Sequence, residues 1–320
     1  MFSLLQNLHC LYSVPDEVVI VDSGEQKLSA EEIKSFTKFP VHYLTAEKSV
    51  CIQRNTGIQQ AVCPWIFLCD DDIEIPKDYL DILRSHIDKY PQTGAVSGLW
   101  LQLEKNEWRA TYPLTSPRML LWKYIFQSGI WGEINCNSSN YFIKKIEQYY
   151  KSKGNHISNA GWPVNINFTD EYSSCPVYSL GASLVKKEWL LQSPYDEVLD
   201  AHGIGDNYGV IADFPLSRIH VVTNARVYHH REPANRLKNS TQYYRRILAL
   251  DYFIKTKPSL RYVKRYSLIW SLIGNLLVFL YARDGVMIKA TIKAISKIIA
   301  NNNPYNKASR ENKKIIEPVL

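Results

Sequence analysis

The 320-residue sequence has no cysteines at metal-ligand spacing. Its six (10, 51, 63, 69, 136 and 175) form neither a C-x-x-C pair nor a Cys/His cluster, which excludes a zinc module of the usual kind. Scattered singly, they read as free thiols of a reducing cytosol, with a disulfide left open. There is no Gly-rich phosphate loop and no internal repeat. The longest apolar stretch, residues 266–282, has 17 residues interrupted by Gly274 and Asn275, whereas a spanning helix needs about 20. The opening "MFSLLQNLHCLYSVPDE" lacks a charged region followed by a long apolar core, so no secretory signal is expected.

What is present is an ordinary folded composition, 46% hydrophobic and 22% charged, long enough for one large domain or two small ones. The 21 tyrosines suit polar clefts and interfaces. The net charge of +7 conceals an asymmetry. Residues 226–320 carry 19 Lys+Arg against 5 Asp+Glu, and subtracting these from totals of 38 and 31 leaves 19 against 26 in residues 1–225. An acidic body with a basic tail points to an anionic surface, membrane or nucleic acid.

Strand and helix signals alternate through the first hundred residues. "EVVIVDSG", "VHYL", "WIFLC" and "GAVSGLWLQ" read as strands. "SAEEIKSF" opens on a capping box from Ser29 to Glu32, "SVCIQRNTGIQQAV" reads as a helix, and Pro76 fits the first turn of "PKDYLDILRSHIDKY". Residues 104–176 lose this rhythm and are expected to be an irregular, aromatic-rich segment that covers or lines a cleft. "VYSLGASLVKKEWLLQ" restores a strand and a helix, "RIHVVTNARVYHH" is a late strand ending in two histidines, and the chain after "REPANR" reads as helical. The pattern predicts an α/β fold with a mainly parallel central sheet flanked by helices.

Three carboxylates in a row, Asp70, Asp71 and Asp72, follow the "WIFLC" strand directly. As helix-start decoration they are excessive. At a strand's carboxyl end, where open α/β sheets bind ligands, they could hold a cation. Asp22 and the pair His229–His230 end other strands. Carboxylates and an imidazole on one edge suit Mg2+ or Mn2+, which would clamp a diphosphate.

"VDSG", "QRNTGI", "FLCDDDIEIPKDYL", "YSLGASLVKKEWL", "YDEVLDAHGIGDNYGV" and "RVYHHREPANR" follow one another in an order that resembles the family 2 glycosyltransferases, inverting enzymes of GT-A fold, over residues 4–257. The resemblance implies a GT-A domain over 1–235, with 104–176 on the acceptor side, and a helical C-terminal region over 236–320. It implies that Asp22 contacts the nucleotide base or ribose, and that Arg54 and Asn55 serve the donor site. Asp70 and Asp72 match the DxD pair, with Asp72 on the metal and Asp71 near the donor sugar. His229 matches a late histidine completing metal or diphosphate binding, and His230 is the alternative because one residue switches the face of a strand.

Two departures stand out. The family's Gly-Glu-Asp aligns with "GIGDNYGV", placing Asn207, which cannot accept a proton, at the usual base. Asp206 is the nearest carboxylate and the expected base, with a helix N-cap as its alternative role. The family also opens with a hydrophobic strand that nothing before Leu4 matches, so the expectation is that the reading frame starts upstream or that this copy is degenerate. Without that strand, its neighbours' backbone groups should be exposed.

In the tail, Ile288, Ile292, Ile295 and Ile299 form one helical stripe beside Lys289, Lys293 and Lys297, the layout of an interfacial helix; packing on the catalytic domain is the alternative. The expected protein is cytoplasmic and peripheral on the inner face of the plasma membrane, meeting it through 259–300. It would use Mn2+ or Mg2+ to move a sugar from a nucleotide donor, a UDP-sugar ahead of a dTDP-sugar, to a lipid-linked glycan in surface polysaccharide assembly. The rival readings are a non-catalytic donor-binding scaffold and a metal-dependent nucleotidyltransferase, which would release pyrophosphate. A nucleic-acid partner is disfavoured by the tail's apolar content.

Overall fold

The structure, a computed structural model, describes residues 2–25, 27–230 and 237–320. The chain divides into two compact units interleaved in sequence. One takes residues 1–110, 169–195 and 214–234; the other takes 111–168, 196–213 and 235–320.

The first unit is α/β. Its central sheet runs Tyr172–Ser174, Ile219–His229, Ala95–Glu104, Ala182–Lys186, Trp65–Cys69, with Ile73–Glu74 added to Ile219–His229 and Glu107–Arg109 added to Ala95–Glu104. Central strands buried on both faces read as continuous apolar runs, and Ala95 to Gly98 are all buried. The expected α/β architecture forms, but its strand directions are mixed. Ala95–Glu104 and Ile219–His229 are parallel, whereas Ala182–Lys186 is antiparallel to both its neighbours. "YSLGASLVKK" enters the sheet against the direction of Trp65–Cys69, with Ala182 opposite Cys69. Val18–Asp22 and Val41–Thr45 form a separate parallel pair. Trp65–Cys69 and Val18–Asp22 therefore each have one strand partner among the described residues.

Helices Phe2–His9 and Tyr79–Lys89 bury Leu4, Leu5, Leu8, Tyr79, Leu80 and Leu83 in one cluster with Val96, Ala182, Leu184, Val222 and Val227 from the strands. The capping box forms: the Ser29 side chain accepts from the Glu32 amide, and the Glu32 carboxylate accepts from the Ser29 amide at 2.7 Å. The helix expected from Pro76 begins later, at Tyr79. Ile73–Glu74 first pairs with Tyr228 and His229, and Pro76 only closes a turn onto the Tyr79 amide, 3.0 Å. The Tyr79 hydroxyl ties the sheet together in the core, donating to the Ala182 carbonyl (2.7 Å) and accepting from the Gly98 amide (2.8 Å).

The second unit holds most of the segment that read as irregular. It contains helices Pro117–Ile125 and Tyr141–Lys153 and a small sheet of Ile130–Trp131, Pro163–Asn165 and His156–Ile157. Leu114, Leu120, Ile130, Ile143, Ile146, Tyr150 and Val164 form its core. Helices Asp206–Ile211, Asn239–Thr256, Arg265–Tyr281, Gly285–Ile299 and Pro304–Arg310 belong to the same unit. Asp251, fully buried, joins three of them: it accepts from Arg265 Nε (2.7 Å) and Asn303 Nδ2 (2.9 Å). Helix Gly285–Ile299 buries Ala290, Thr291, Ala294 and Ile298. Of its isoleucine stripe, Ile292 and Ile299 are 50% and 66% exposed. Among the described residues no helix is long and apolar enough to cross a membrane.

Candidate active site

The carboxyl end of Trp65–Cys69 delivers the three aspartates, and the structure disperses their charge. Asp70 turns back onto the preceding helix, pairing with Arg54 of Val50–Gln60. Its amide donates to the Gly181 carbonyl at 2.8 Å. A Cβ at position 181 would stand 2.2 Å from Asp70 Oδ2, so the carboxylate reaches Arg54 only because a glycine lies beside it. Asp71 is exposed. Asp72 points to the late strand, its Oδ2 2.9 Å from His229 Nε2. Repulsion between neighbours is met by a cation on one side, an imidazole on the other and water between.

The choice between the two histidines follows from strand alternation. His229, with a side chain 13% exposed, faces Asp72; His230, 54% exposed, turns to Glu74 at 2.9 Å. The pairing of Ile73–Glu74 with Tyr228–His229, and the His230 amide bonding the Asp72 carbonyl at 2.9 Å, fix this register. The Trp100 ring lies 4.9 Å from the His229 ring. His229 Nδ1 is buried and makes no hydrogen bond, so the imidazole is held by the Trp100 ring and by what Nε2 meets. A carboxylate oxygen and an imidazole nitrogen facing each other are donors of the type Mn2+ and Mg2+ accept, and the residues present fit such an ion.

Asp22 ends its strand with both oxygens engaged: one accepts from the Tyr43 hydroxyl, the other from the Gly24 amide at 2.7 Å. Arg54 also donates to the Tyr195 hydroxyl (3.1 Å) and lies over the Tyr195 ring, 5.1 Å from its centroid. Asn55 is buried and clasps the backbone of Tyr195, donating to its carbonyl (2.9 Å) and accepting from its amide (3.0 Å). Its amide group thereby holds Tyr195 in place beneath Arg54. Asp22, Arg54, Asn55, Asp70, Asp71, Asp72 and His229 all belong to the first unit, and Asp206 to the second.

Asp206 opens helix Asp206–Ile211, but its N-cap is Gly205 at φ +98°, a backbone few other residues adopt. The Asp206 carboxylate accepts from the amide of Asn207 at 2.6 Å. The "REPANR" motif beyond His230 falls on residues 231–236, outside the described residues. Sequence reasoning missed Tyr195, Tyr43, Trp100 and Gly181, which meet Arg54, Asp22, His229 and Asp70; Gly181 and Tyr195 lay inside the quoted motifs "YSLGASLVKKEWL" and "YDEVLDAHGIGDNYGV" without being singled out. It also missed Asp200, His202 and Glu317, whose potential ligand atoms lie within 4.8 Å of one another. Arg245, 3.4 Å from Asp200 and paired with Glu317, already brings positive charge to that cluster.

The mixed sheet flanked by helices, with acidic residues at its strand ends, is an α/β fold of GT-A type. Residues 3–151 match the family described as glycosyl transferase family 2, and over that segment the chain carries a domain of this family. Among solved structures, S. aureus TarS 1–349 in complex with UDP-GlcNAc shares the fold with a TM-score of 0.51 at 12% identity, over 98% of this chain and 88% of that one. A second crystal structure of S. aureus TarS 1–349 gives 0.50 at 12% identity, over 97% and 87%. The mannosyltransferase PcManGT from Pyrobaculum calidifontis, in complex with GDP-Man and Mn2+, gives 0.46 at 14% identity, over 96% and 78%. No curated protein sequence matches the chain.

Proposed function

We propose that this glycosyltransferase moves a sugar, with inversion, from a nucleotide-diphosphate donor to a lipid-linked glycan acceptor in surface polysaccharide assembly. The observation that carries the reading is the Asp72–His229 pair, 2.9 Å apart at adjoining strand ends, with Asp70 and Arg54 paired beside it. A UDP-sugar is the first choice of donor and a dTDP-sugar the second. Asp22, held by Tyr43, meets the base or ribose. Arg54, backed by Tyr195 and by Asn55, orients Asp70 toward the donor, and Asp71 lies near the sugar. Asp72 and His229 would hold Mn2+ or Mg2+, which when bound neutralises the charge growing on the leaving diphosphate.

Asp206 is the base. Its carboxylate takes the proton of the acceptor hydroxyl as that oxygen bonds to the anomeric carbon, while the bond from that carbon to the diphosphate oxygen breaks on the opposite face. The nucleoside diphosphate leaves with the bonding electrons. The exposed apolar and basic surface of 259–300 supports peripheral attachment to the inner face of the plasma membrane, where a lipid-linked acceptor is met.

The test is turnover against a panel of nucleotide-sugars, reading both nucleoside diphosphate and pyrophosphate. The expectation is nucleoside diphosphate release that Asp206→Asn lowers by about a hundredfold or more, the scale of a lost general base, with donor KM little changed. Pyrophosphate release would instead mark a nucleotidyltransferase, and unaltered turnover in Asp206→Asn would remove the base assignment.

A further inference from the structure

The loop that leads into Asp206 is bound along its length by the last residues described. The Ile315 amide donates to the Glu197 carbonyl (2.9 Å) and the Ile316 amide to the Val198 carbonyl (3.1 Å). Lys314 pairs with the Glu197 carboxylate. The Ala201 amide donates to Glu317 Oε1 at 2.9 Å. Ile315 adopts φ +52°, a left-handed backbone that is an outlier for a β-branched residue and persists only where surrounding bonds impose it.

The loop is anchored from a second side. Asp200, fully buried, accepts from the Tyr305 hydroxyl at 3.1 Å and from the His202 amide at 3.0 Å, and lies 3.4 Å from Arg245 Nη1. Arg245, itself buried, also pairs with Glu317 and donates through Nε to the Pro318 carbonyl at 3.3 Å. Backbone bonds carry the restraint forward: the Gly203 amide to the Asp200 carbonyl, then the Asp206 amide to the Gly203 carbonyl, each 2.8 Å. The guanidinium supplies the counter-charge to Asp200 and Glu317 that a bound cation would otherwise provide, so this cluster reads as a clamp.

We propose that residues 314–318 are a strap that sets the position of the Asp206 loop, with Glu317 as its positioning residue. The catalytic part of this inference rests on Asp206 being the base; the strap itself does not. Glu317 joins two otherwise separate supports, the Ala201 amide and the Arg245 guanidinium. Glu317→Ala removes both contacts. Glu317→Gln keeps an oxygen for Ala201 and loses only the charge toward Arg245.

The test uses the full chain, with circular dichroism to confirm that each variant folds. Two readouts are compared: hydrogen exchange of the 201–206 amides, and steady-state turnover with a nucleotide-sugar. In Glu317→Ala the expectation is faster exchange confined to that loop, and a kcat lowered by about tenfold or more with donor KM held within about twofold, as for a misplaced catalytic group. Glu317→Gln should recover most of the kcat. Unchanged exchange in Glu317→Ala overturns the strap whatever the activity. Faster exchange with unaltered kcat, in an enzyme that Asp206→Asn inactivates, overturns the positioning role. If the wild-type chain transfers no sugar, the reading of Asp206 fails and exchange alone decides the strap.

Discussion

At the scale of single residues, a polar side chain in this molecule is defined by what it meets across the fold. His86 and His220 show this most clearly. Both are buried, with His86 Nε2 2.9 Å from His220 Nδ1. His220 Nε2 faces the Ser217 carbonyl at 3.1 Å, and Thr93 Oγ1 lies 3.1 Å from His220 Nδ1. The carbonyl requires a hydrogen on His220 Nε2, so neutral His220 accepts through Nδ1 and His86 donates to it. Burial first, and then His220, push His86 from 6.5 down to about 4; burial also lowers His220. The unfolded chain takes up protons that this folded pair refuses, so the pair's full contribution to stability is present above pH 6.5 and is lost as pH falls toward 4. Denaturant unfolding between those limits should show that loss, and His86→Phe should flatten it; an unchanged acid slope in the variant would contradict the assignment.

At the scale of elements, the legible parts of the chain were those whose period and punctuation agreed. Val18–Asp22 and Trp65–Cys69 are apolar runs stopped by acidic residues, and their ends position Asp22, Asp70 and Asp72. Helices Pro117–Ile125 and Tyr141–Lys153 escaped notice because they lie among scattered aromatic residues that blur the apolar period. Their signals were nonetheless local: Ser116 caps the Met119 amide ahead of Pro117, Asn140 caps Phe142 and Ile143, and Gly154 ends the second helix at φ +64°. The strand direction of Ala182–Lys186 had no such signal, since direction is set by pairing across the sheet. Helix Arg265–Tyr281 presents Tyr266, Trp270, Leu277, Leu280 and Tyr281 to solvent, the last 95% exposed. Residues 257–300 carry eight Lys and Arg against a single acidic residue, Asp284. An apolar ridge with a basic surround fits an anionic bilayer. Vesicles containing phosphatidylglycerol should retain the protein and neutral phosphatidylcholine vesicles should not, with Leu277→Glu/Tyr281→Glu weakening retention by about tenfold or more, since each buried apolar side chain contributes about 1.5–3 kcal/mol. Equal retention by both vesicle types would contradict this.

At the scale of the whole molecule, the chain is organised as two units interleaved in sequence, which composition could not reveal because the chain passes between them five times, after residues 110, 168, 195, 213 and 234. The sequence motifs sort between those units. Asp22, Arg54, Asn55, Asp70, Asp71, Asp72 and His229 lie in the first, and Asp206 with the loop that carries it lies in the second. Motif order made the family legible; the partners Tyr43, Trp100 and Tyr195 were not, because each meets Asp22, His229 or Arg54 from a distant part of the chain. If Asp72 and His229 hold a divalent cation as proposed, nucleotide binding depends on that cation. Calorimetric titration of UDP into this chain and into Asp72→Asn, with and without Mn2+, tests it most directly. The expected result is binding by the wild-type chain that needs Mn2+ and is lost in Asp72→Asn; UDP binding equally strong in the variant, or indifferent to Mn2+, would contradict a cation held by Asp72 and His229.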